Sequence, residues 1–127
     1  MRTGIEDAVA SFELVTQRMA EAVEARTLEG RSTILALRRG NMEAIETLHR
    51  AATELLTRFP AVVRYEVETE FEKRFQAMQR TVSLHQGKWP AVLIAEDPQG
   101  FLNSARLARQ TKADLLRWIR RELLPRA

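Results

Sequence analysis

Hydrophobic residues recur through most of this chain at alternating steps of three and four, the spacing of one face of an α-helix. The first such stripe predicts a helix over residues 4–39. Its start has the spacing of a capping box, because Thr3 is followed three positions later by Glu6. Gly30 is the point at which this helix would kink. The stripe continues through Ile5, Val9, Phe12, Thr16, Met19, Val23, Ile34, Leu35 and Leu37.

Gly40 and Asn41 together have the composition of a helix end followed by a new helix start. We therefore expect a second helix over 41–59, ended by Pro60, and a third over 61–86, with Gly87 at its C′ position. The second stripe comprises Met42, Ile45, Leu48, Ala52, Leu55 and Phe59, and the third comprises Val63, Val67, Phe71, Phe75, Met78 and Val82.

The pattern is interrupted over residues 87–97, which include the chain's longest apolar run, Ala91 to Ala95. This segment predicts only a short helical turn over 90–95. Asp97 and Pro98 then have the residue types that favour the N-cap and N1 positions of a helix. The last helix is predicted over 98–124, ended by Pro125. Its apolar stripe is Phe101, Ala105, Ala108, Leu115, Ile119 and Leu123.

No alternating strand pattern, hairpin dipeptide or repeat competes with this interpretation. The predicted fold is all-α: one domain over 1–127, an elongated bundle of about four helices with a helical hairpin. The stripes together offer more apolar surface than one small chain is expected to cover. We therefore expect oligomerisation, to a dimer or larger, to complete the bundle.

Composition narrows the class of protein further. The 127 residues include no Cys, which excludes disulfides and thiol chemistry, and 29% are charged, as in folded proteins. The longest apolar run is far shorter than the roughly 20 residues that span a bilayer. The N-terminus has acidic residues where a secretory signal would have basic ones. A cytoplasmic protein is the expectation.

The net charge of +3 is unevenly distributed, because residues 1–30 have a net charge of −3 and residues 98–127 have one of +5. The basic excess therefore belongs to the last helix. Either acidic and basic helices pair with each other, or the basic end meets an anionic surface. Aromatic residues are not interleaved with it and no helix-turn-helix pattern is present, so nucleic-acid binding is not expected. This basic face comprises Arg106, Arg109, Arg117, Arg120 and Arg121.

Candidate catalytic residues are few. Glu46 and His49 form one Glu-x-x-His element, whereas a di-iron bundle needs two such elements and two more glutamates. A phosphotransfer histidine is typically followed by Lys and Gly: His49 lacks the Gly, and His85 has Gly87 and Lys88 in the reverse order at a predicted helix end. No serine is marked as an activated nucleophile, and no phosphate loop is present. We expect a non-enzymatic protein without cofactor or metal.

Lys112 interrupts the last apolar stripe, between Ala108 and Leu115. Three interpretations stay open: a side chain that snorkels to solvent at the core's edge, a polar residue that sets helix register or partner choice, or a loosely buried face. Trp118 and Leu107 lie on a flank of the same helix. They would pack on Trp89 or form an apolar contact surface.

Two segments of the chain resemble the phasins, small proteins that coat polyhydroxyalkanoate storage granules in bacteria. One is Arg39 to Glu46 (RGNMEAIE), similar to the family's N-x-E-A helix start. The other is Ala95 to Gln110 (AEDPQGFLNSARLARQ), similar to its D-P restart before a last helix rich in Ala, Arg and Gln. The resemblance covers roughly residues 40–122. The chain differs from the family in its two Trp, in Pro90 and in its short C-terminus.

The resemblance implies an amphipathic, coiled-coil-like protein whose helices adsorb to an apolar polymer while their charged faces stay in water. The partner would be the granule surface. The contact residues would be those of the last stripe and its flank, which also form the core of the free protein: Phe101, Ala105, Ala108, Leu115, Trp118 and Ile119.

Two other functions fit the same pattern. Residues 35–45 resemble the first hairpin turn of flagellar-type export chaperones about as well, and such a chaperone would bind a partner helix in a groove. A general helical scaffold is the third reading. Adsorption to granules would separate the first from the other two.

Overall fold

A computed structural model describes the backbone of residues 4–25 and 28–127, and the side chains of residues 4–22, 36–90 and 92–127. Five helices follow one another: α1 (Gly4–Ala25), α2 (Leu28–Leu56), α3 (Ala61–Lys88), α4 (Ala91–Glu96) and α5 (Pro98–Glu122). A 3-10 turn, Leu124–Arg126, ends the chain. No strand occurs in the described backbone, so the all-α prediction is confirmed.

The four long helices form an antiparallel bundle. Leu55 lies near Ile5 and Asn41 lies near Met19, so α1 and α2 run in opposite directions. Phe71 packs against Trp118 and His85 against Ser104, so α3 and α5 are antiparallel as well. Helices of 22 to 29 residues correspond to rods of about 33–44 Å. No helix in the described part of the chain is long and apolar enough to cross a bilayer.

The predicted first helix over 4–39 is wrong. One helix ends at Ala25 and the next begins at Leu28, so the hairpin lies well before Gly40. A single helix to residue 39 would leave its stripe without a partner, whereas the hairpin packs α1 on α2 and buries Ile5, Val9 and Phe12 in the core. Gly30 lies inside α2 near its start. Thr3, the expected cap, lies outside the described residues.

The predicted helix boundary at Gly40 and Asn41 is wrong too, because α2 passes through both residues. A glycine inside a helix costs about 0.5–1 kcal/mol relative to alanine. Burial of the next two turns of α2 offsets that cost, since Asn41, Ile45 and Leu48 are all at most 1% exposed. Tertiary packing therefore overrides the local stop signal.

The other observed helix boundaries differ from the predicted ones by one to three residues. The helix α2 ends at Leu56, and a turn reaches Phe59. Gly87 lies inside α3, whose C-cap is Trp89. The prediction for α5 holds at its start: Asp97 is the N-cap, Pro98 is N1, and the Gly100 amide donates to Asp97 Oδ1 at 3.0 Å.

The core consists of two apolar clusters. The larger runs along the bundle and contains side chains from α1, α2, α3 and α5, including Phe12, Leu48, Phe71 and Ile119. The smaller lies at the end of the bundle that holds α4. It is formed by Ala22, Trp89, Ile94 and Phe101.

Candidate functional site on the inner face of the last helix

The helix α5 has two sharply different faces. Its inner face contributes most of the predicted contact residues to the core: Phe101, Ala108, Leu115, Trp118 and Ile119 are buried, and Ala105 is half-buried. In this conformation, none of the five buried side chains offers a surface to a polymer or a partner. Contact through them requires α5 to separate from its neighbours.

Trp118 packs into the α3–α5 interface rather than on Trp89. Its ring stacks on Phe71, with 6.2 Å between the ring centroids, and the Arg74 guanidinium lies 5.6 Å from it. Trp89 instead makes an edge contact with Phe101 at the other end of α5. Of the two flank residues, only Leu107 is exposed.

The outer face of α5 has the five arginines of the basic face, and all five are exposed. Arg120 forms an ion pair with Glu13 of α1, so the acidic first helix and the basic last helix meet within one chain. Arg117 pairs with Asp114 and Arg121 with Glu122 along α5 itself. Exposed pairs of this kind contribute only a few tenths of a kcal/mol each.

A polar contact crosses the centre of the bundle. Lys112 Nζ donates a hydrogen bond of 2.6 Å to Asn41 Oδ1, and the two residues are only 4% and 1% exposed. The ammonium also lies 3.8 Å from Met19 Sδ and 5.7 Å from the centroid of the Phe12 ring. Burial lowers the pKa of Lys112 to about 8.

Lys112 therefore neither snorkels to solvent nor lies on a loose face. Of the three interpretations, the structure favours the polar residue that sets register, because only one alignment of α5 with α2 puts the ammonium against Asn41. Asn41 was predicted as a helix cap. Its position on the α2 stripe, four residues after Leu37 and four before Ile45, was the signal of a buried polar partner.

A second polar contact lies one layer toward α4. His85 Nδ1 and Ser104 Oγ are 2.7 Å apart, and the imidazole packs on Phe101. The pKa of His85 is lowered to about 4, first by burial and then by the charges of Arg38 and Lys112. Arg38 donates to the Trp89 carbonyl at 2.9 Å, which ties α2 to the end of α3.

A cavity of about 50 Å³ lies between α1, α3 and α5, beside this polar layer. Its wall is mostly carbon, and Lys112 and His85 are the ionisable groups at its inner side. Arg106 and Arg109 also contribute to its lining. The other described lining residues are Thr16, Met19, Ala20, Val82, Gln86, Phe101, Leu102, Ala105 and Ala108.

The Glu-x-x-His element lies in a separate open depression between α2 and α3. His49 Nε2 lies 2.7 Å from Glu72 Oε1 there, and Glu46 lines the same depression. Within the described residues, no three His, Asp or Glu side chains come close enough to hold a metal ion. The pair thus links α2 to α3 across the surface.

Three large apolar side chains are exposed on α4 and near the end of α3. Val92 and Leu93 protrude from α4 itself, and Leu84 is exposed one turn before the end of α3.

Searches against protein-family models, curated proteins and solved structures found no match to this chain. The phasin resemblance consequently depends on the residues quoted for it alone.

Proposed function

We propose that this protein is a non-enzymatic coat protein that adsorbs through amphipathic helices to an apolar surface, as phasins do on polyhydroxyalkanoate granules. The observation that carries the proposal is the division of α5 into an inner face that is apolar except for Lys112 and an arginine-rich outer face. A helix of this kind can exchange one apolar environment for another while its charges stay in water.

Such an exchange keeps the hydrophobic term of α5 itself nearly constant, provided that the faces of α1 and α3 that it uncovers adsorb to the same surface. The α5 stripe gains about 25 cal/mol per Å² whether it is buried by α1 and α3 or by a polymer. Separation of α5 would also release the Lys112 ammonium from the core, where a charge is costly. The ion pair between Arg120 and Glu13 is exposed, so its loss would oppose separation only weakly.

The exposed apolar group near α4 supports a first contact without opening. Leu84, Val92 and Leu93 are available on the closed bundle, and α4 directly precedes α5 in the chain. Attachment there would bring the start of α5 next to the surface. Release of the rest of α5 would then follow along its length.

A reversible staple tests the opening step. The chain has no native Cys, so Glu13→Cys with Arg120→Cys can be joined by a cleavable bis-maleimide, which ties α1 to α5. The matched control joins Gln110→Cys to Asp114→Cys, two positions within α5 that already share a hydrogen bond. Adsorption to polyhydroxybutyrate particles is measured by co-sedimentation.

We expect the α1–α5 staple to reduce adsorption at least tenfold and cleavage of the linker to restore it, while the staple within α5 has little effect. Circular dichroism before and after stapling controls for helicity. Equal adsorption of both stapled forms would reject opening, and absence of adsorption by the unstapled protein would reject the function. If the unstapled protein does not adsorb but binds an amphipathic helical peptide saturably, the export-chaperone function replaces the coat-protein function.

A further inference from the structure

Within the part of the chain that the structure describes, the buried ammonium of Lys112 has only neutral partners. Its contacts are the Asn41 side-chain oxygen, the Met19 sulfur and the face of the Phe12 ring. Among the described residues, no carboxylate lies within ion-pair distance of it. A pKa of about 8 means that the group is still mainly charged at neutral pH. A buried charge without a counter-ion is costly, and an anion placed beside it would offset that cost.

The cavity next to Lys112 has the complementary composition. Among the described side chains that line it there is no Asp or Glu, whereas Lys112, Arg106 and Arg109 all contribute to its wall. Two further polar atoms at this wall, Thr16 Oγ1 and Gln86 Nε2, are buried without a hydrogen-bond partner among the described residues. The described part of the wall therefore includes two buried polar atoms that a ligand could satisfy, beside the charge of Lys112.

The remainder of the wall is aliphatic and aromatic. Leu102 and Ala105 contribute aliphatic carbon to it, Met19 places its sulfur beside the Lys112 ammonium, and Phe101 adds an aromatic ring that also contacts Trp89. A ligand that fits this wall needs a compact negative group at one end and carbon at the other. A fully hydrated inorganic anion such as sulfate would leave the carbon side without a partner.

Size limits the ligand further. A cavity of about 50 Å³ corresponds to roughly three to five water molecules at about 10–15 Å³ each. That is the volume of a carboxylate group with a short alkyl chain. It is too small to enclose a fatty-acid tail.

We propose that this cavity is a binding site for a short-chain aliphatic carboxylate of two to four carbons. The carboxylate accepts hydrogen bonds from Lys112 Nζ and Gln86 Nε2, and the alkyl chain lies against Leu102 and Ala105. The site is independent of the surface coat proposed above, because it requires the closed bundle.

The test is a titration of the full-length protein, ¹³C-labelled at lysine, with sodium propionate. The ¹³Cε signal of Lys112, assigned by its loss in Lys112→Met, reports the carboxylate directly, and calorimetry gives the dissociation constant. Propionamide is the matched neutral ligand, and sodium chloride controls for ionic strength. We expect a saturable shift with propionate, an upward movement of the Lys112 pKa, and at least tenfold weaker binding of propionamide.

Two variants separate the site from general charge effects. Lys112→Met should weaken propionate binding at least tenfold, whereas Arg117→Met, which removes a positive charge from the exposed face of the same helix, should leave it unchanged. Ala105→Leu keeps the charge and fills the cavity, so it should also weaken binding at least tenfold. Circular dichroism checks that each variant is folded.

A shift that does not saturate, or that propionamide and chloride reproduce, would overturn the proposal. Equal binding by Lys112→Met would do the same. Tight binding of decanoate with no binding of propionate would replace the short-chain carboxylate with a fatty acid and reject the size argument.

Discussion

At the scale of single residues, the most consequential pair is Asn41 and Lys112. Each interrupts an apolar stripe, each is buried, and the two side chains share a hydrogen bond. Their contact places a charge in an apolar core, and a buried charge seldom adds much to the free energy of unfolding. We infer that the pair contributes specificity of alignment rather than stability.

A double-mutant cycle tests that inference. The variant with both Asn41→Leu and Lys112→Met replaces the polar contact by carbon of similar shape, and we expect it to unfold with a free energy about 1–4 kcal/mol higher than the original chain. Each single variant leaves one buried partner unsatisfied and should be about 1–3 kcal/mol less stable than the double variant. Urea denaturation followed by circular dichroism measures all four forms. A double variant less stable than the original chain would contradict the inference.

The lowered pKa of His85 predicts that the folded chain loses stability in mild acid. Its pKa is about 4 in the folded chain and ordinarily 6.5, so the unfolded chain binds the extra proton first as the pH falls. The contribution of neutral, buried His85 is therefore fully present above about 6.5 and is lost progressively down to about 4. Lys112 acts in a different pH range. Because its pKa is lowered in the folded chain, the free energy of unfolding should increase as the pH rises from about 8 to 10.5.

The measurement is the free energy of unfolding at a series of pH values from 4 to 7. His85→Gln, which cannot take up a proton but can still hydrogen-bond Ser104, should flatten the acid slope. The matched control is His49→Gln, at the α2–α3 surface, which should keep it. An unchanged slope in His85→Gln would show that another group is responsible.

At the scale of helices, two glycines with the same local propensity have opposite surroundings. Gly40 lies inside α2, and a Cβ added there would meet nothing within 4 Å. Gly100 lies in the first turn of α5, where an added Cβ would lie 2.8 Å from Trp89 Cη2 and would also collide with the capping carboxylate of Asp97. The first position tolerates a side chain and the second does not.

These surroundings predict opposite effects of the same substitution. Gly40→Ala should stabilise the protein by about 0.5–1 kcal/mol, because alanine loses less backbone entropy in a helix. Gly100→Ala should destabilise it by about 1–3 kcal/mol, because the cap and the Trp89 ring must move. Thermal and urea unfolding of the two variants, measured side by side, check this. Equal effects of both substitutions would contradict the packing at Gly100.

At the scale of the whole molecule, the single chain already covers most of its apolar stripes. An oligomer was expected because the apolar stripes offer more surface than one chain was thought to cover. Among the described side chains, the large apolar residues that stay exposed are Leu84, Val92 and Leu93 and a few isolated ones elsewhere. Oligomerisation stays a prediction. It would proceed through Leu84, Val92 and Leu93.

Multi-angle light scattering after size-exclusion chromatography tests it at micromolar concentration. We expect the mass of a dimer or larger for the original chain, against 14.6 kDa for one chain. Replacement of Val92 and Leu93 by Ser should shift the equilibrium toward the monomer, since it removes apolar contact area. The matched control replaces Val62 by Ser, an exposed position at the opposite end of α3. A monomer under all conditions would reject the prediction.

The sequence by itself determined the all-α class, the start of α5 and the composition of its two faces. Each depends on local chemistry: helical periodicity is visible in single segments, and Asp97 with Pro98 satisfies the first amides of α5 without help from elsewhere. The same is true of the basic face, because residues that alternate around a helix need no partner to be assigned to one side.

Only the tertiary structure decided where α1 turns back and what Gly40, Asn41 and Lys112 do. Gly40 and Asn41 are a sound stop signal for an isolated helix, but packing of α2 against α1 outweighs about 1 kcal/mol of local preference. Lys112 could not be interpreted alone, because its partner lies 71 positions away in the chain. The cavity between α1, α3 and α5 was invisible for the same reason: it is a property of three helices together.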